Sequence, residues 1–333
     1  MNQSQFDRVF EQLTPRRKQV LKLLLAGVSD RAIAQSLHIT PSTVRKHVEN
    51  ICLAFSLQQE FPDDRHSKRP ELITLFTKYK PELVNSQLLE NNPSQTNSST
   101  AKSSHKTFPV TNRDVFILID QSGSMVRKDS DTGKQTRYEY LAEVIEGHIA
   151  AILSPSEKIS KIVQVLFFSA KKTQPQPIII EDPTQVHQLF INNQPKTKTF
   201  ITPTLEYCFN TWLLQGKPHK RGAFFLIYTD GLFDDEEKFI QDITSICTQI
   251  THHSEVKIFV LGLGKDLDIE HFLALDFNIN KTMPHNIFVF DLVNEVDDII
   301  ELLSRQLNNS PHLALPNWVK TSYPEFSEKI LMS

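Results

Sequence analysis

The spacing of apolar residues divides the chain into two regions with different periods. Over residues 1–84, apolar positions recur every three or four residues, as they do along one face of a helix. The pairs Thr14-Pro15 and Thr40-Pro41 are typical of helix starts, because threonine caps the first N–H groups and proline fits the first turn. We call residues 1–84 the head and predict that it is wholly helical.

The pattern changes over residues 109–307, which we call the body. Short continuous apolar runs, typical of strands buried on both faces, alternate there with amphipathic segments. The predicted strands are 115–119, 161–168, 177–180, 223–228, 256–263 and 287–290. The predicted helices are 136–153, 202–214, 235–250, 268–275 and 293–307. The predicted fold class is therefore an α/β doubly wound, mostly parallel sheet, preceded by a small all-α domain. Ligand sites in such sheets lie at the carboxyl ends of the strands.

Two segments lack either period. Residues 85–108 are rich in Asn, Ser, Gln and Thr, so they predict a flexible polar linker between the head and the body. Residues 308–333 contain three prolines and no clear period. They predict a C-terminal tail that either packs on the body or extends from it.

Charge and composition narrow the class of protein. The 333 residues carry a net charge of −3, but the head holds 13 Lys and Arg residues against 9 Asp and Glu. That small excess is compatible with nucleic-acid binding without establishing it. Three widely spaced cysteines suggest neither a disulfide framework nor a zinc pattern, which favours a reducing, cytoplasmic location. We expect no membrane contact, because neither a signal peptide nor a run of membrane-spanning length is evident.

The head carries a spaced set of residues that is more specific than its helical period. The set comprises Leu13-Thr14-Pro15-Arg16, the ending from Leu24 to Gly27, Ile33-Ala34, and Ile39 through Ile51. It resembles the helix-turn-helix domain of the LuxR/NarL type. The resemblance implies that a third helix, residues 41–55, enters the major groove of double-stranded DNA, and that residues 71–83 form a fourth helix.

The chemistry of the third helix suits that role. Arg45 and Lys46 can reach base edges or phosphates, Asn50 can pair with adenine, and Glu49 can accept from cytosine. The predicted phosphate-binding residues are Arg16, Arg17, Ser42 and Thr43. Some folds of this type mediate protein contacts alone, which leaves open a head that serves in assembly.

In the body, polar side chains directly follow two predicted strands. Residues 114–125 read DVFILIDQSGSM, with Asp120, Ser122 and Ser124 at alternate positions after the apolar run. Asp230 follows another strand in LIYTDG. Because the carboxyl ends of parallel strands meet at one edge of a sheet, we expect these side chains to lie together. Hydroxyl and carboxylate oxygens are ligands that suit a small hard cation.

This pattern resembles the metal-ion-dependent adhesion site (MIDAS) of von Willebrand factor A (vWA) domains, over residues 114–307. The resemblance implies Mg²⁺, or Mn²⁺, bound directly by Ser122, Ser124 and a threonine, with Asp120 and Asp230 holding waters. An acidic residue of a partner protein would fill an open position. The segment KTFITPTLEY offers Thr202 and Thr204, and the Thr-Pro-x-Leu order favours Thr202.

Together, the two resemblances predict a non-enzymatic regulator. Its head would bind double-stranded DNA and its body would capture a partner's carboxylate through Mg²⁺. We predict no catalytic residues: the position where a haloacid-dehalogenase-type phosphatase needs a second Asp holds Ser122, and Ser124 lacks the Gly-x-Ser-x-Gly of a nucleophile elbow. The alternative is an interaction adaptor of an ATPase- or defence-associated complex. A MoxR-type ATPase would then be a partner and the head would mediate assembly.

Overall fold

The structure is a computed structural model that describes residues 2–37, 41–57, 68–84, 110–129, 132, 135–155, 157–169, 175–196, 198–296, 298–308 and 316–326. The predicted linker 85–108 lies outside these ranges. Most of the described residues belong to one of two compact units, one containing the head and the other the body.

The described part of the head is helical, as its period predicts. The helices are α1 (Gln3–Glu11), α2 (Pro15–Leu25), α3 (Asp30–Ser36), α4 (Pro41–Ala54), α5 (Arg69–Tyr79) and α6 (Pro81–Val84). The sequence interpretation did not include α1. This helix begins with a capping box, in which the Asn2 side chain accepts from the Gln5 N–H and the Gln5 side chain accepts from the Asn2 N–H.

An aromatic cluster joins both ends of the head to its centre. Phe6 of α1 lies 5.1 Å from Phe55 and 4.9 Å from Phe76 of α5, measured between ring centroids. Phe6, Phe76 and Leu72 are fully buried. An ion pair of 2.8 Å between Arg69 and Asp30 also ties α5 to α3. The fourth helix predicted at residues 71–83 is divided into α5 and α6, because Lys80, which precedes Pro81, has a non-helical backbone conformation. Helix α5 directs its apolar face into the core of the head.

Within the described part of the body, six strands form one sheet. They are β1 (Arg113–Asp120), β2 (Val163–Phe168), β3 (Ile178–Ile180), β4 (Gly222–Thr229), β5 (Val256–Gly262) and β6 (Phe288–Leu292). Their order is β3-β2-β1-β4-β5-β6, and all neighbours pair in parallel except β2 and β3. The predicted mostly parallel sheet is confirmed, and β3 is its antiparallel edge.

Helices cover both faces of this sheet. They are α7 (Arg137–Ile152), α8 (Gln185–Asn192), α9 (Thr202–Gln215), α10 (Glu236–Thr248), α11 (Ile269–Thr282), α12 (Ile299–Asn308) and α13 (Asn317–Ser322). One apolar core lies under α7, α8 and α12, and the other lies under α9, α10, α11 and α13. The sheet is thus doubly wound, which explains the continuous apolar runs of its central strands.

Helices α8, α11 and α12 differ from the sequence interpretation. Helix α11 extends to Thr282, whereas the prediction ended at residue 275. Helix α8 was not predicted, because its eight residues follow the short β3 in a segment with no long apolar run. The helix predicted at 293–307 begins later, at Ile299, because residues Val293–Glu295 form a separate 3₁₀ turn.

The described part of the C-terminal tail packs on the body. Val319 of α13 is fully buried in the core under α9 to α11. The indole Nε1 of Trp318 donates to Asp291 Oδ1 at 2.8 Å. Of the two arrangements left open for the tail, the described residues 316–326 adopt the packed one.

The topology fixes where a ligand site can form. Strands β1 and β4 are neighbours at the centre of the sheet. The chain leaves β1 toward α7 on one face, whereas it leaves β4 toward α10 on the other. A crevice therefore opens at the carboxyl ends of β1 and β4, where Asp120 ends one strand and Asp230 follows the other.

Candidate functional site

Helix α4 of the head has a buried face and an exposed face. Val44 and Val48 are buried in the core of the head. Arg45 and Glu49 are exposed and Asn50 is half-buried. Three of the predicted base-reading side chains are therefore accessible on one helix. The side chains of Ser42, Thr43 and Lys46, also predicted to contact DNA, lie outside the described set.

The two arginines predicted to bind phosphate lie in different environments. Arg16 is partly buried and donates to the backbone carbonyl of Leu37 and, at 3.1 Å, to the Gln19 side chain. Arg17 is 1% exposed. It lies three and four residues before the buried Val20 and Leu21, so the helical period turns it inward. The structure thus places Arg17 inside the head, not on its surface, and its contact with phosphate stays a prediction.

In the body, the structure brings together four of the five predicted metal-site residues. Asp120 Oδ1 accepts from the Ser122 N–H at 2.7 Å. The Ser122 and Ser124 hydroxyl oxygens lie 2.9 Å apart. Both hydroxyls donate to Asp230 Oδ1, at 3.2 Å from Ser122 and 2.8 Å from Ser124. Two strand ends separated by about a hundred residues thus form one cluster of oxygens.

Backbone hydrogen bonds fix the conformation of the loop after β1, which directs the Ser122 and Ser124 side chains toward Asp230. Gln121 N–H donates to the Phe168 carbonyl at 3.0 Å, and the Gln121 carbonyl accepts from Lys196 N–H. A 3₁₀ turn then runs from Gly123 to Val126. A Cβ atom at Gly123 would lie 3.0 Å from the Lys196 carbonyl oxygen, so glycine permits this close approach.

Thr202 differs from the other predicted ligands. Its hydroxyl donates to Asp235 Oδ2 at 2.6 Å, and its N–H donates to the same atom at 3.0 Å. The other oxygen of Asp235 accepts from Ile201 N–H at 3.0 Å. Asp235 therefore caps the start of α9 from another loop and engages the hydroxyl that the sequence assigns to a metal. Thr204, the alternative ligand, is buried in the first turn of α9.

Sequence reasoning missed Arg137, whose guanidinium lies beside the oxygen cluster. Its Nη1 donates to Asp230 Oδ2 at 2.8 Å. Nε donates to Asp129 at 2.5 Å, and Nη2 donates to Asp266 at 3.1 Å. Burial opposes the charged form, but hydrogen bonds to the Asp129 and Asp230 carboxylates outweigh it and raise the pKa of Arg137. The guanidinium is therefore a permanent positive charge.

Asp120 shows the electrostatic character of the site. Burial, and then the nearby charge of Asp230, raise the pKa of Asp120 to about 7. Hydrogen bonds donated by Thr229 Oγ1, at 2.7 Å to Oδ2, and by Ser122 act in the opposite direction. A buried carboxyl beside a second carboxylate is an environment that a bound cation would stabilise in its ionised form.

The oxygens present fit a hard cation in part. Two serine hydroxyls and an Asp230 oxygen converge within 3.2 Å of one another, and oxygens of these types suit Mg²⁺. The Thr202 hydroxyl, in contrast, is bonded to Asp235. No cluster of three or more His, Cys, Asp or Glu side chains with metal-binding geometry occurs in the described ranges. The fit therefore depends on the hydroxyls.

Comparison with known proteins identifies the motif in the head. Residues 11–55 match the family model described as bacterial regulatory proteins, luxR family. This confirms the predicted LuxR-type helix-turn-helix. The chain is also 39% identical over 57 residues to the nitrate/nitrite response regulator protein NarL of Escherichia coli strain K12. That match covers 17% of this chain and 26% of NarL, about a quarter of its length.

Two solved structures match this chain at low sequence identity. The SpRpn10 VWA domain matches with 14% identity and a TM-score of 0.39, covering 60% of this chain and 96% of that one. The pilus adhesin SpaC of Lactobacillus rhamnosus GG matches with 13% identity and a TM-score of 0.38, covering 62% and 31%. At these scores the likeness does not bear on chemistry.

None of the described helices has the length and apolar character needed to span a bilayer.

Proposed function

We propose that this protein is a non-enzymatic transcription regulator. Its head binds double-stranded DNA, and its body captures an acidic residue of a partner protein through a divalent cation, Mg²⁺ or Mn²⁺. The observation that carries the DNA-binding half is the LuxR-family match at residues 11–55, in which α4 exposes Arg45 and Glu49.

The geometry of α4 supports base reading by the head. Its buried residues anchor one face, so the exposed face can enter a major groove without disturbing the core. Arg45 offers donors to guanine or to phosphate, and Glu49 offers an acceptor to cytosine.

The oxygen cluster at the ends of β1 and β4 supports capture by the body. Ser122 and Ser124 would hold the cation through their hydroxyls, while Asp120 and Asp230 would orient its waters. The bound ion would supply a positive centre that attracts a carboxylate. Thr229 positions Asp120 through the hydrogen bond to its Oδ2, and Gly123 lets the loop approach closely.

Fluorescence anisotropy with the full chain tests the DNA half. Labelled genomic fragments are titrated at several salt concentrations, with wild type, Arg45→Ala and Arg8→Ala. Arg8 is a matched control, because it is an exposed arginine on α1 outside residues 11–55. We expect a salt-dependent affinity and a loss of about 1–3 kcal/mol for Arg45→Ala. The DNA half is refuted if no fragment is preferred and both variants bind as the wild type does.

Calorimetric titration with MgCl₂, followed by partner pull-down with and without EDTA, tests the body. Ser124→Ala removes a half-buried hydroxyl from the cluster, whereas Ser169→Ala removes a buried hydroxyl after β2. We expect Ser124→Ala and Asp120→Asn to weaken both Mg²⁺ binding and EDTA-sensitive capture, and Ser169→Ala to preserve them. A partner retained equally by every variant, with and without EDTA, would contradict metal-dependent capture.

A further inference from the structure

Arg137 occupies an unusual position for an arginine at the start of a helix. It is the first residue of α7, yet its side chain is fully buried. Its guanidinium contacts the carboxylates of Asp129, Asp230 and Asp266 at distances between 2.5 and 3.1 Å. A buried guanidinium is tolerated only when its donors are satisfied in this way.

The fold builds a specific place for this side chain. The loop before α7 closes on itself, because Lys128 and Thr136 form an antiparallel bridge and Arg137 N–H donates to the Arg127 carbonyl at 2.8 Å. The backbone of Gly264 also lies close to the Arg137 guanidinium. A Cβ atom at Gly264 would lie 2.6 Å from both Nε and Cζ of Arg137, so a side chain there would displace the group.

Asp230 is shared between this guanidinium and the serine cluster. Its Oδ2 accepts from Arg137, and its Oδ1 accepts from the Ser122 and Ser124 hydroxyls. One carboxylate of the candidate cation site is therefore already neutralised by a fixed charge. Such a charge stabilises the arrangement without an ion and repels any cation that approaches the same oxygens.

We propose that Arg137 is a tethered cation of this site. It holds Asp230 and the two serines in place when no divalent ion is bound, and it lowers the affinity of the site for Mg²⁺. This inference rests on the cation-binding half of the proposed function. It assigns to Arg137 a positioning and affinity-setting role, which is distinct from ligating the metal or contacting a partner.

Calorimetric titration of the full chain with MgCl₂ tests the proposal. Arg137→Gln should bind Mg²⁺ roughly tenfold or more tightly than wild type, because a unit charge within a few ångströms of a divalent ion matters even in strongly screened surroundings. Arg137→Lys, which keeps the charge, should remain near wild type. Arg127→Gln is the matched control, because Arg127 pairs with Asp266 but is exposed and makes no recorded contact with Asp230.

Thermal melting provides a readout that does not depend on any partner. EDTA should leave the melting temperature of wild type unchanged, whereas MgCl₂ should raise that of Arg137→Gln by more than that of wild type. If Arg137→Gln is not recovered folded, the double variant Arg137→Gln/Asp129→Asn carries the same measurements, because it removes one of the carboxylates left without the guanidinium.

The outcomes separate this inference from the proposed function. Unchanged or weaker Mg²⁺ binding by Arg137→Gln, or by the double variant, overturns the tethered-cation role even if wild type captures a partner in an EDTA-sensitive way. Tighter Mg²⁺ binding by the variant supports the role even if pull-down finds no partner, a result that would count against carboxylate capture alone.

Discussion

The head and the body place their candidate functional side chains in opposite environments. On α4 of the head, Arg45 and Glu49 are exposed, and the buried Val44 and Val48 anchor the helix. In the body, Asp120 and Asp230 are buried, and Asp230 is bonded to side chains from two other segments. The candidate residues of the head thus lie at its surface, whereas those of the body lie in a polar interior.

This difference determines what a substitution reports in each region. An exposed side chain contributes little to folding, so changing it tests binding almost alone. A buried charge is part of a network whose members lose their partners together. Binding experiments on the body therefore need matched stability measurements, and the following predictions use that contrast.

The largest effect is expected when an acid is removed from the buried network. Asp230→Ala should lower the free energy of unfolding of the body by about 3–5 kcal/mol, because it leaves the buried Arg137 guanidinium without one of its carboxylates. The matched change in the head, Glu49→Ala, should cost no more than about 0.5 kcal/mol. Urea unfolding followed by tryptophan fluorescence reports on the body, because both tryptophans of the chain, Trp212 and Trp318, belong to it. Circular dichroism of the helical head measures the Glu49→Ala variant. Similar losses of unfolding free energy in Asp230→Ala and Glu49→Ala would contradict the difference between the buried site of the body and the exposed face of α4.

In the head, the aromatic cluster should carry the stability that the DNA-binding face does not. Phe76→Ala removes a fully buried ring that packs on Phe6 and Phe55. We expect a loss of about 3 kcal/mol, with weaker DNA binding as a consequence of unfolding. Circular dichroism at increasing temperature measures the loss of helix. Arg45→Ala should leave that transition unchanged, and an equal shift in both variants would contradict the prediction.

The sequence was sufficient for features that depend on local period or on fixed spacing. The apolar runs predicted the strands of the sheet, and the spaced residues around Thr14 and Val48 predicted the helix-turn-helix. The strand ends also predicted that Asp120 and Asp230 would lie near Ser122 and Ser124, because parallel strands end on one side of a sheet.

The sequence was insufficient where partners come from distant segments. Arg137 follows the capping Thr136, a position at which a charged residue usually faces solvent, and its contact with Asp230 spans 93 residues. Asp235 resembles a residue that opens α10, yet it also caps α9 across 33 residues. Arg17 has a basic side chain but occupies the inward period of α2. Tertiary contacts determine each of these environments, and no local sequence pattern indicates them.

A pH-dependent effect should arise from a buried acid away from the candidate site. Burial raises the pKa of Asp276 to about 7, and hydrogen bonds from Phe290 N–H and Asn280, and then the charge of Lys257, only partly offset it. The folded body therefore keeps a proton on Asp276 that the unfolded chain releases near its ordinary pKa, so the contribution of Asp276 to stability is greatest at low pH and is lost as pH rises toward 7.

Asp276→Asn should reduce this dependence. Between pH 5 and pH 6, the free energy of unfolding of wild type should fall by up to about 1.4 kcal/mol more than that of the variant. Asp120 and Asp291, whose pKa values are also raised by burial, should keep part of the slope in both proteins. Urea unfolding at the two pH values measures the difference, and identical slopes would show that Asp276 titrates normally.

The smallest expected effect distinguishes the two candidate threonine ligands. Thr202→Val removes the hydroxyl that donates to Asp235 Oδ2, so it should cost about 1 kcal/mol of body stability. Thr204→Val should cost less, because its hydroxyl has no hydrogen bond within the part of the chain that the structure describes. If Thr202 also ligates Mg²⁺, its hydroxyl has to leave Asp235 when the ion binds. Thr202→Val would then weaken Mg²⁺ binding in calorimetry, while Asp235→Asn would strengthen it by releasing the hydroxyl. Weakening by Thr204→Val instead would transfer the ligand role to Thr204 and leave Thr202 as a capping residue of α9.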